Sequence, residues 1–168
     1  MLTVIALGSN MGQSATTLKD AVTAINAIEG VSVIKASSLY RTPPVGYLDQ
    51  DDFVNAVIMV ESQPDPVALY ERLAAIELEF GRVRLFKDGP RTLDLDIICA
   101  GDLISSDVRV ILPHPRAQQR AFVLVPLNEI APDLVFPDSG LTAAQALERL
   151  NPEDLSGIER IADAPSLL

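Results

Sequence analysis

Two aspartates, Asp94 and Asp96, are the residues whose type and spacing most directly suggest chemistry. They lie in the apolar run LDLDIIC at 93–99, which is typical of a buried β-strand. Because side chains alternate along a strand, both carboxylates project from one face, with Cα atoms roughly 7 Å apart. Two anions so close repel each other unless a cation lies between them, and Mg²⁺ binds one or two carboxylates together with substrate phosphates. The pair predicts a divalent metal site, with a solvated Asp-x-Asp as the alternative.

Basic side chains are concentrated just before this strand. Arg82, Arg84 and Arg91 surround an irregular segment that also holds Lys87, in a chain with 23 acidic residues and a formal net charge of −10. Arginine presents a planar fork of donors that matches phosphate oxygens. The cluster therefore indicates an anion site, whereas pairing with surface acids is the alternative.

A stiff loop and a strand that carries an aromatic beside an amide suggest a site for a flat heterocycle. The sequence RTPPVG at 41–46 contains two successive prolines, so this loop can present backbone groups to a ligand at little entropic cost. The strand predicted at 52–60 places Phe53 and Asn55 on one face. The ring offers a stacking surface, and the amide offers both a donor and an acceptor. A rigid connector, a core Phe53 and a capped Asn55 are the alternatives.

Composition bounds the class of protein. The chain has 168 residues, of which 48% are hydrophobic and 21% charged, so we expect one globular domain over 1–168 with a low-information tail at about 151–168. The net negative charge argues against a nucleic-acid partner. The sequence shows neither a leader nor an apolar run of membrane length, so a cytoplasmic protein without a membrane partner is expected. The lone Cys99 has no disulfide role, and His114, the only histidine, supports no zinc site.

Helical and strand patterns are interspersed along the chain. Apolar spacing predicts helices at 14–30, 65–81, 116–130 and 141–150, the first capped by Ser14 and the last burying Leu147 and Leu150. Strands are predicted at 2–7, 31–40, 52–60 and 93–99, with a short strand after a hairpin at Gly101 and another near Ile158. This order indicates an α+β fold, one mostly antiparallel sheet with helices on its faces.

Three motifs together carry a resemblance to a known family. They are KDGPRTLDLDII at 87–98, RTPP at 41–44 and GSN at 8–10. In this order and spacing the chain resembles the 6-hydroxymethyl-7,8-dihydropterin pyrophosphokinases of folate biosynthesis, over about residues 3–137. The resemblance implies a ferredoxin-like plait elaborated with extra strands. It also implies transfer of diphosphate from ATP to the pterin hydroxymethyl group, with two Mg²⁺ ions, and we expect a monomer that binds these small molecules.

The resemblance also implies roles for individual residues. Those expected to contact the pterin are Gly8, Thr42, Pro43, Pro44, Val45, Phe53, Asn55 and Phe122, with the two phenylalanines on either side of its ring. Those expected to contact ATP are Glu77, Arg82, Arg84, Arg91, Ile97, His114 and Arg120. The metal ligands are Asp94 and Asp96. The catalytic residues are Arg82 and Arg91, which would absorb developing charge, and Asp96, a candidate proton acceptor.

The chain departs from the family pattern near the expected adenine site. Asp88 and Pro115 stand where the family often has aromatic residues, and the segment between Arg84 and Gly89 is one residue shorter. The resemblance therefore does not carry over the adenine contacts.

Two other classes of protein use parts of the same pattern. A two-metal nuclease or nucleotidyltransferase would use the same aspartates, but the acidic composition and the lack of a basic groove argue against it. A non-catalytic pterin- or nucleotide-binding protein would need the ring-binding residues but neither the Asp pair nor Arg91. Both sets are present, which favours the enzyme.

Overall fold

A mixed set of strands and helices makes up the part of the chain that the computed structural model describes, residues 1–11, 13–44, 48–81, 92–162, 164 and 166–168. The elements in chain order are β1 (Leu2–Ser9), α1 (Ser14–Asn26), β2 (Val31–Ala36), β3 (Tyr40–Thr42), β4 (Phe53–Ser62), α2 (Pro66–Glu79), β5 (Asp94–Ala100), α3 (Ala121–Ile130), α4 (Ala143–Glu148) and β6 (Glu159–Arg160). Short 3-10 turns lie at Ala117–Gln119 and Pro152–Leu155.

The strands form one six-stranded sheet in the order β5-β1-β4-β3-β6, with β2 also paired to β4. Each pairing between these strands is antiparallel. The order β5-β1-β4-β2, with α1 after β1 and α2 before β5, is the ferredoxin-like plait, and β3 and β6 extend it. The predicted α+β class is therefore confirmed.

Helices cover both faces of the sheet, which is why β1 and β4 are apolar on both sides. On one face, here the α1 face, Ile58 and Val60 of β4 join a core with the buried stripes of α1 and α2. On the opposite face, here the α3 face, Val57 and Met59 join a core with α3 and α4. This split follows the period-two alternation predicted for the strand at 52–60.

The single strand predicted at 31–40 is two strands. β2 pairs with the 58–62 half of β4, and β3 pairs with the 53–55 half. At the break, the Ser37 N–H donates to the Val57 carbonyl at 2.9 Å, and the Ser37 hydroxyl accepts from the Val57 N–H at 2.9 Å. A side-chain oxygen thus replaces the backbone acceptor of a continuous ladder, and the strand ends there.

Of the predicted caps at Ser14 and Asp65, only the cap at Asp65 forms. Asp65 caps α2 as predicted, since its Oδ1 accepts from the Ala68 N–H at 2.9 Å. Ser14 does not cap α1: it is the first helical residue, the cap position belongs to Gln13, and no side-chain cap bond forms there. The Ser14 hydroxyl instead accepts from the Ser9 hydroxyl at 3.1 Å.

Two predicted helix starts and one predicted strand differ from the structure. The last helix begins only at Ala143 because Thr142 caps it, and Leu147 and Leu150 are half-buried rather than buried. The helix predicted from residue 116 starts at 121, since Arg120 has extended backbone angles. In place of the strand predicted after Gly101, the structure has a single bridge between Ser105 and Leu112.

Within the described ranges, no helix combines the length and apolar character that crossing a bilayer requires.

Candidate active site

The two aspartates share the α3 face of β5. Leu95 and Ile97 are only 6% and 7% exposed and belong to the core of the opposite face, while Asp94 is half-buried and Asp96 is exposed. The predicted alternation is confirmed. Within the described ranges, no group of three or more His, Cys, Asp and Glu side chains could hold a metal ion. Two neighbouring carboxylates nevertheless fit Mg²⁺, which completes its coordination with water and phosphate oxygens.

A row of paired residues connects the aspartates to the predicted heterocycle site. Across the sheet, Asp94 pairs with Gly8, Gly8 with Asn55, and Asn55 with Tyr40. A Cβ on Gly8 would lie 2.7 Å from the Asn55 Oδ1. Gly8 therefore leaves room for the amide of Asn55, and no side chain stands between that amide and Asp94 in this row.

Asn55 is held in a fixed orientation. It is 7% exposed, and its Nδ2 donates to the Thr42 Oγ1 at 2.6 Å; Thr42 itself is 3% exposed. With Nδ2 directed to β3, the Oδ1 lies on the Gly8 side, where it can accept from a ligand. After Thr42 the chain continues into Pro43, which is exposed, and Pro44, which is half-buried.

The two aromatic residues of the predicted ring sandwich lie on the α3 face. Phe53 is half-buried on the same side of β4 as Asn55, and Phe122 is half-buried against the core under α3. The guanidinium of Arg120 lies 5.3 Å from the centroid of the Phe122 ring, a cation–π contact. Stacking of a ligand between the two phenylalanines remains a prediction.

A hydrogen-bonded link joins α3 to β3. Glu129 accepts from the Tyr40 hydroxyl at 2.7 Å, from the Ser38 N–H at 2.9 Å and from the Ser38 hydroxyl at 2.8 Å. Burial and the hydrogen bond to Glu129 raise the pKa of Tyr40 to about 12, so the phenol remains a donor at neutral pH. The helix that carries Phe122 is thereby tied to the strand that carries Thr42.

Two backbone groups on the outer edge of β5 form hydrogen bonds with residues outside the sheet. The Leu95 N–H donates to the Glu77 Oε2 at 2.9 Å, and the His114 N–H donates to the Ile98 carbonyl at 2.8 Å. Ile98 is the bulged residue of β5, since the register with β1 passes from Ile97 to Cys99. Both contacts cover backbone groups that an edge strand would otherwise expose.

Glu77 has a structural role that the sequence did not suggest. It is 8% exposed and anchors β5 to α2 next to the Asp pair. We expect Glu77→Ala to lower the free energy of unfolding by about 1–3 kcal/mol, because it leaves the buried Leu95 N–H without this acceptor. Glu77→Gln keeps a side-chain oxygen at that place and should lose less. Urea denaturation measures both, and equal losses would contradict this role. Contact of Glu77 with ATP stays a prediction.

His114 is half-buried beside the Asp pair. Its Nδ1 accepts from the Arg116 N–H at 3.2 Å, so the neutral ring carries its proton on Nε2. Burial lowers the pKa of His114, the charge of Asp96 opposes this effect, and Arg120 and Arg116 reinforce it. The side chain thus presents one N–H donor, as a phosphate oxygen requires.

A pocket of about 210 Å³ adjoins the exposed carboxylate. Its lining includes Asp96 together with Ile97 and His114, two residues expected to contact ATP. It also includes residues that were not predicted as site residues: Tyr70, Leu95, Val108, Arg109, Val110, Ile111 and Pro115. Leu95 was predicted only as a buried strand residue, and Pro115 stood out only as a departure from the family pattern. Residues 108–111 follow the hairpin predicted at Gly101, and Tyr70 is an aromatic beside the buried stripe of α2. A larger groove of about 640 Å³ lies between the start of α2 and residues 103–112, but its lining includes neither Asp94 nor Asp96.

Four predicted site residues cannot be placed. Arg82, Arg84, Arg91 and Val45 lie outside the described residues, so their roles stay predictions.

Comparison with known proteins identifies close relatives. The model of the family described as 7,8-dihydro-6-hydroxymethylpterin-pyrophosphokinase (HPPK) matches residues 4–132. A protein of Methylorubrum extorquens named 2-amino-4-hydroxy-6-hydroxymethyldihydropteridine pyrophosphokinase is 45% identical over 157 residues, 94% of this chain and 96% of its own. A Haemophilus influenzae protein of the same name is 45% identical over 135 residues, 80% of this chain and 84% of its own.

A solved structure supports the fold. Plasmodium falciparum HPPK-DHPS, a triple mutant with pteroate, superposes with a TM-score of 0.68 at 14% identity over 95% of this chain. This chain spans 46% of that one, so the likeness concerns the fold of the shared part.

Proposed function

The chain belongs to the 7,8-dihydro-6-hydroxymethylpterin-pyrophosphokinase family, and from this premise we propose how its residues carry out the reaction. The enzyme transfers diphosphate from ATP to the hydroxymethyl group of 6-hydroxymethyl-7,8-dihydropterin, giving AMP and the pterin diphosphate in folate biosynthesis. The main support for the site is the row Asp94, Gly8, Asn55, because it sets the carboxylates and a ring-binding amide side by side on one sheet face.

The pterin binds at the β3–β4 end of this row. The Asn55 Oδ1 accepts from a ring N–H, and the hydrogen bond from Asn55 to Thr42 holds the amide in place before the ligand arrives. Phe53 and Phe122 stack on the two faces of the ring. Gly8, Pro43 and Pro44 border its edge, and Val45 is also proposed to contact it.

ATP binds at the β5 end of the row. The nucleoside occupies the pocket of about 210 Å³, where Ile97, Tyr70 and Ile111 supply apolar walls. The Nε2–H of His114 and the guanidinium of Arg120 face the phosphates. Contacts from Glu77 and from the arginines at positions 82, 84 and 91 complete the proposed ATP site.

Asp94 and Asp96 hold two Mg²⁺ ions in this proposal. When bound, the ions neutralise phosphate charge and align the transferred group with its acceptor. The pterin hydroxymethyl oxygen attacks the β-phosphorus, and the bond from the β-phosphorus to the oxygen that bridges to the α-phosphate breaks, so AMP leaves. Arg82 and Arg91 absorb charge that develops during transfer. Asp96 is the candidate acceptor of the hydroxyl proton, in competition with its role as a metal ligand.

An AMP assay tests the proposed function. The protein is incubated with ATP, Mg²⁺ and 6-hydroxymethyl-7,8-dihydropterin, and nucleotides are followed by chromatography. AMP and pterin diphosphate should appear in equal amounts. Formation of ADP, or of AMP without pterin, would reject the transfer.

The functional unit is one chain acting in the cytoplasm. All proposed ligand contacts come from a single chain, and ATP is a cytoplasmic substrate, which supports this assignment. Light scattering should give the mass of a monomer.

Phe122→Ala tests the ring sandwich. Loss of stacking and burial should weaken pterin binding by roughly 1–3 kcal/mol, while the affinity for an ATP analogue changes little. Calorimetry on each ligand measures both, with Phe80→Ala, a half-buried aromatic packed on the opposite core, as the control. Unchanged pterin affinity would show that Phe122 packs against the core and does not stack on the pterin. Parallel loss of both ligands would show that the ring serves mainly to position Arg120.

A further inference from the structure

The C-terminal segment at 157–161 is built into the sheet beside the proposed pterin site. In β6, Arg160 pairs with Tyr40 and Glu159 pairs with Arg41, and the Ile161 N–H donates to the Leu39 carbonyl at 2.8 Å. This segment lies beyond residue 132, where the family match ends. The strand predicted near Ile158, in a stretch expected to be a low-information tail, is therefore β6 and forms the outer neighbour of β3.

Gly157 makes a specific contact at the end of this segment. Its φ is +80°, and a Cβ at this position would lie 3.2 Å from the Pro43 Cγ and 3.4 Å from the Pro43 Cδ. The first distance is tighter than most contacts of a real Cβ, so any side chain here would require Pro43 to shift by a few tenths of an ångström. The backbone of Gly157 thus packs closely against the Pro43 ring.

Pro43 connects Gly157 to the proposed pterin site. It directly follows Thr42, whose hydroxyl accepts the hydrogen bond that orients Asn55. β3 has only three residues, and without β6 it would be an open edge of the sheet. Short strands at an open edge separate easily from their neighbours, so β3 needs support on its outer side to keep Thr42 and Pro43 in place.

We propose that the segment 157–160 is a positioning element for the pterin site, in which β6 fixes β3 and Gly157 fixes Pro43. The inference deepens the proposed function and rests on it, because it assumes that residues 42–44 border the pterin. None of these four residues needs to touch the substrate.

Gly157→Ala tests the proposal, and the chain provides a matched control. The added methyl group displaces Pro43, so the Kd for the pterin should rise about three- to tenfold while the Kd for an ATP analogue stays unchanged. Gly140 has a φ of +73° and no atom within 4 Å of its Cβ position, so Gly140→Ala introduces similar backbone strain without the contact. Calorimetry gives both affinities, and thermal melts give the stability of each variant.

A double-mutant cycle isolates the contact. Pro43→Ala removes the two nearest atoms and leaves only the Cβ, at 3.9 Å. In that background Gly157→Ala should add no further loss of pterin affinity. The inference is overturned if Gly157→Ala binds pterin as well as Gly140→Ala does, or if it weakens both ligands equally. Failure of the unsubstituted protein to bind pterin would instead overturn the proposed function.

Discussion

Asp96→Ala should abolish AMP formation, a loss of about a thousandfold or more, while the protein remains folded. The substitution removes one of the two carboxylates that hold the metal ions in our proposal. Asp96 is exposed, so its loss opens no cavity. The thermal midpoint should therefore change by only a few degrees. Turnover is measured by the AMP assay and folding by circular dichroism.

Two companion variants sharpen this result. Asp96→Asn keeps the size of the side chain but removes its charge and should also be inactive. Asp20→Ala removes an exposed carboxylate from α1, which packs on the opposite sheet face, and should keep full activity. Near-normal turnover in Asp96→Ala would end the assignment of this residue as a metal ligand.

Gly8→Ala should weaken pterin binding by about ten- to hundredfold, the equivalent of one lost buried hydrogen bond. The new methyl carbon would lie 2.7 Å from the Asn55 Oδ1. Asn55 cannot retreat without stretching its 2.6 Å hydrogen bond to Thr42, in surroundings that leave it only 7% exposed. The amide that receives the pterin should therefore be displaced. Titration with pterin, and separately with an ATP analogue, measures the effect.

Asn55→Ala supplies the control for Gly8→Ala. It removes the atom that the new methyl group would meet, so the double variant should bind pterin no more weakly than Asn55→Ala alone. Wild-type affinity in Gly8→Ala would show that Asn55 can move at little cost and does not depend on its bond to Thr42.

Local patterns allowed the sequence to predict which residues of β4 and β5 share a face. Period-two alternation assigns Asp94 and Asp96 to one side of β5, and it separates Val57 and Met59 from their neighbours in β4. The cap at Asp65 was predicted for the same reason, since its partner is only three residues away. Features determined by neighbours in the sequence are therefore recoverable from it.

Contacts between distant segments could not be predicted in this way. The bond of Glu77 to β5, the contact of Gly157 with Pro43, and the pocket wall at 108–111 each join residues far apart in the chain. Nothing in their local sequence distinguishes them from ordinary surface or loop residues. The break at Ser37 depends likewise on a partner in β4.

The bulge in β5 bears on how resistance to inhibitors could arise. It leaves the Ile98 carbonyl for the backbone N–H of His114, so the spacing between the carboxylate strand and the histidine is set by main-chain atoms. Substitution of the Ile98 or His114 side chain leaves this backbone hydrogen bond intact. Proline at position 114 is the exception, because it has no N–H. An inhibitor that spans both groups would therefore meet a distance that few point mutations can alter.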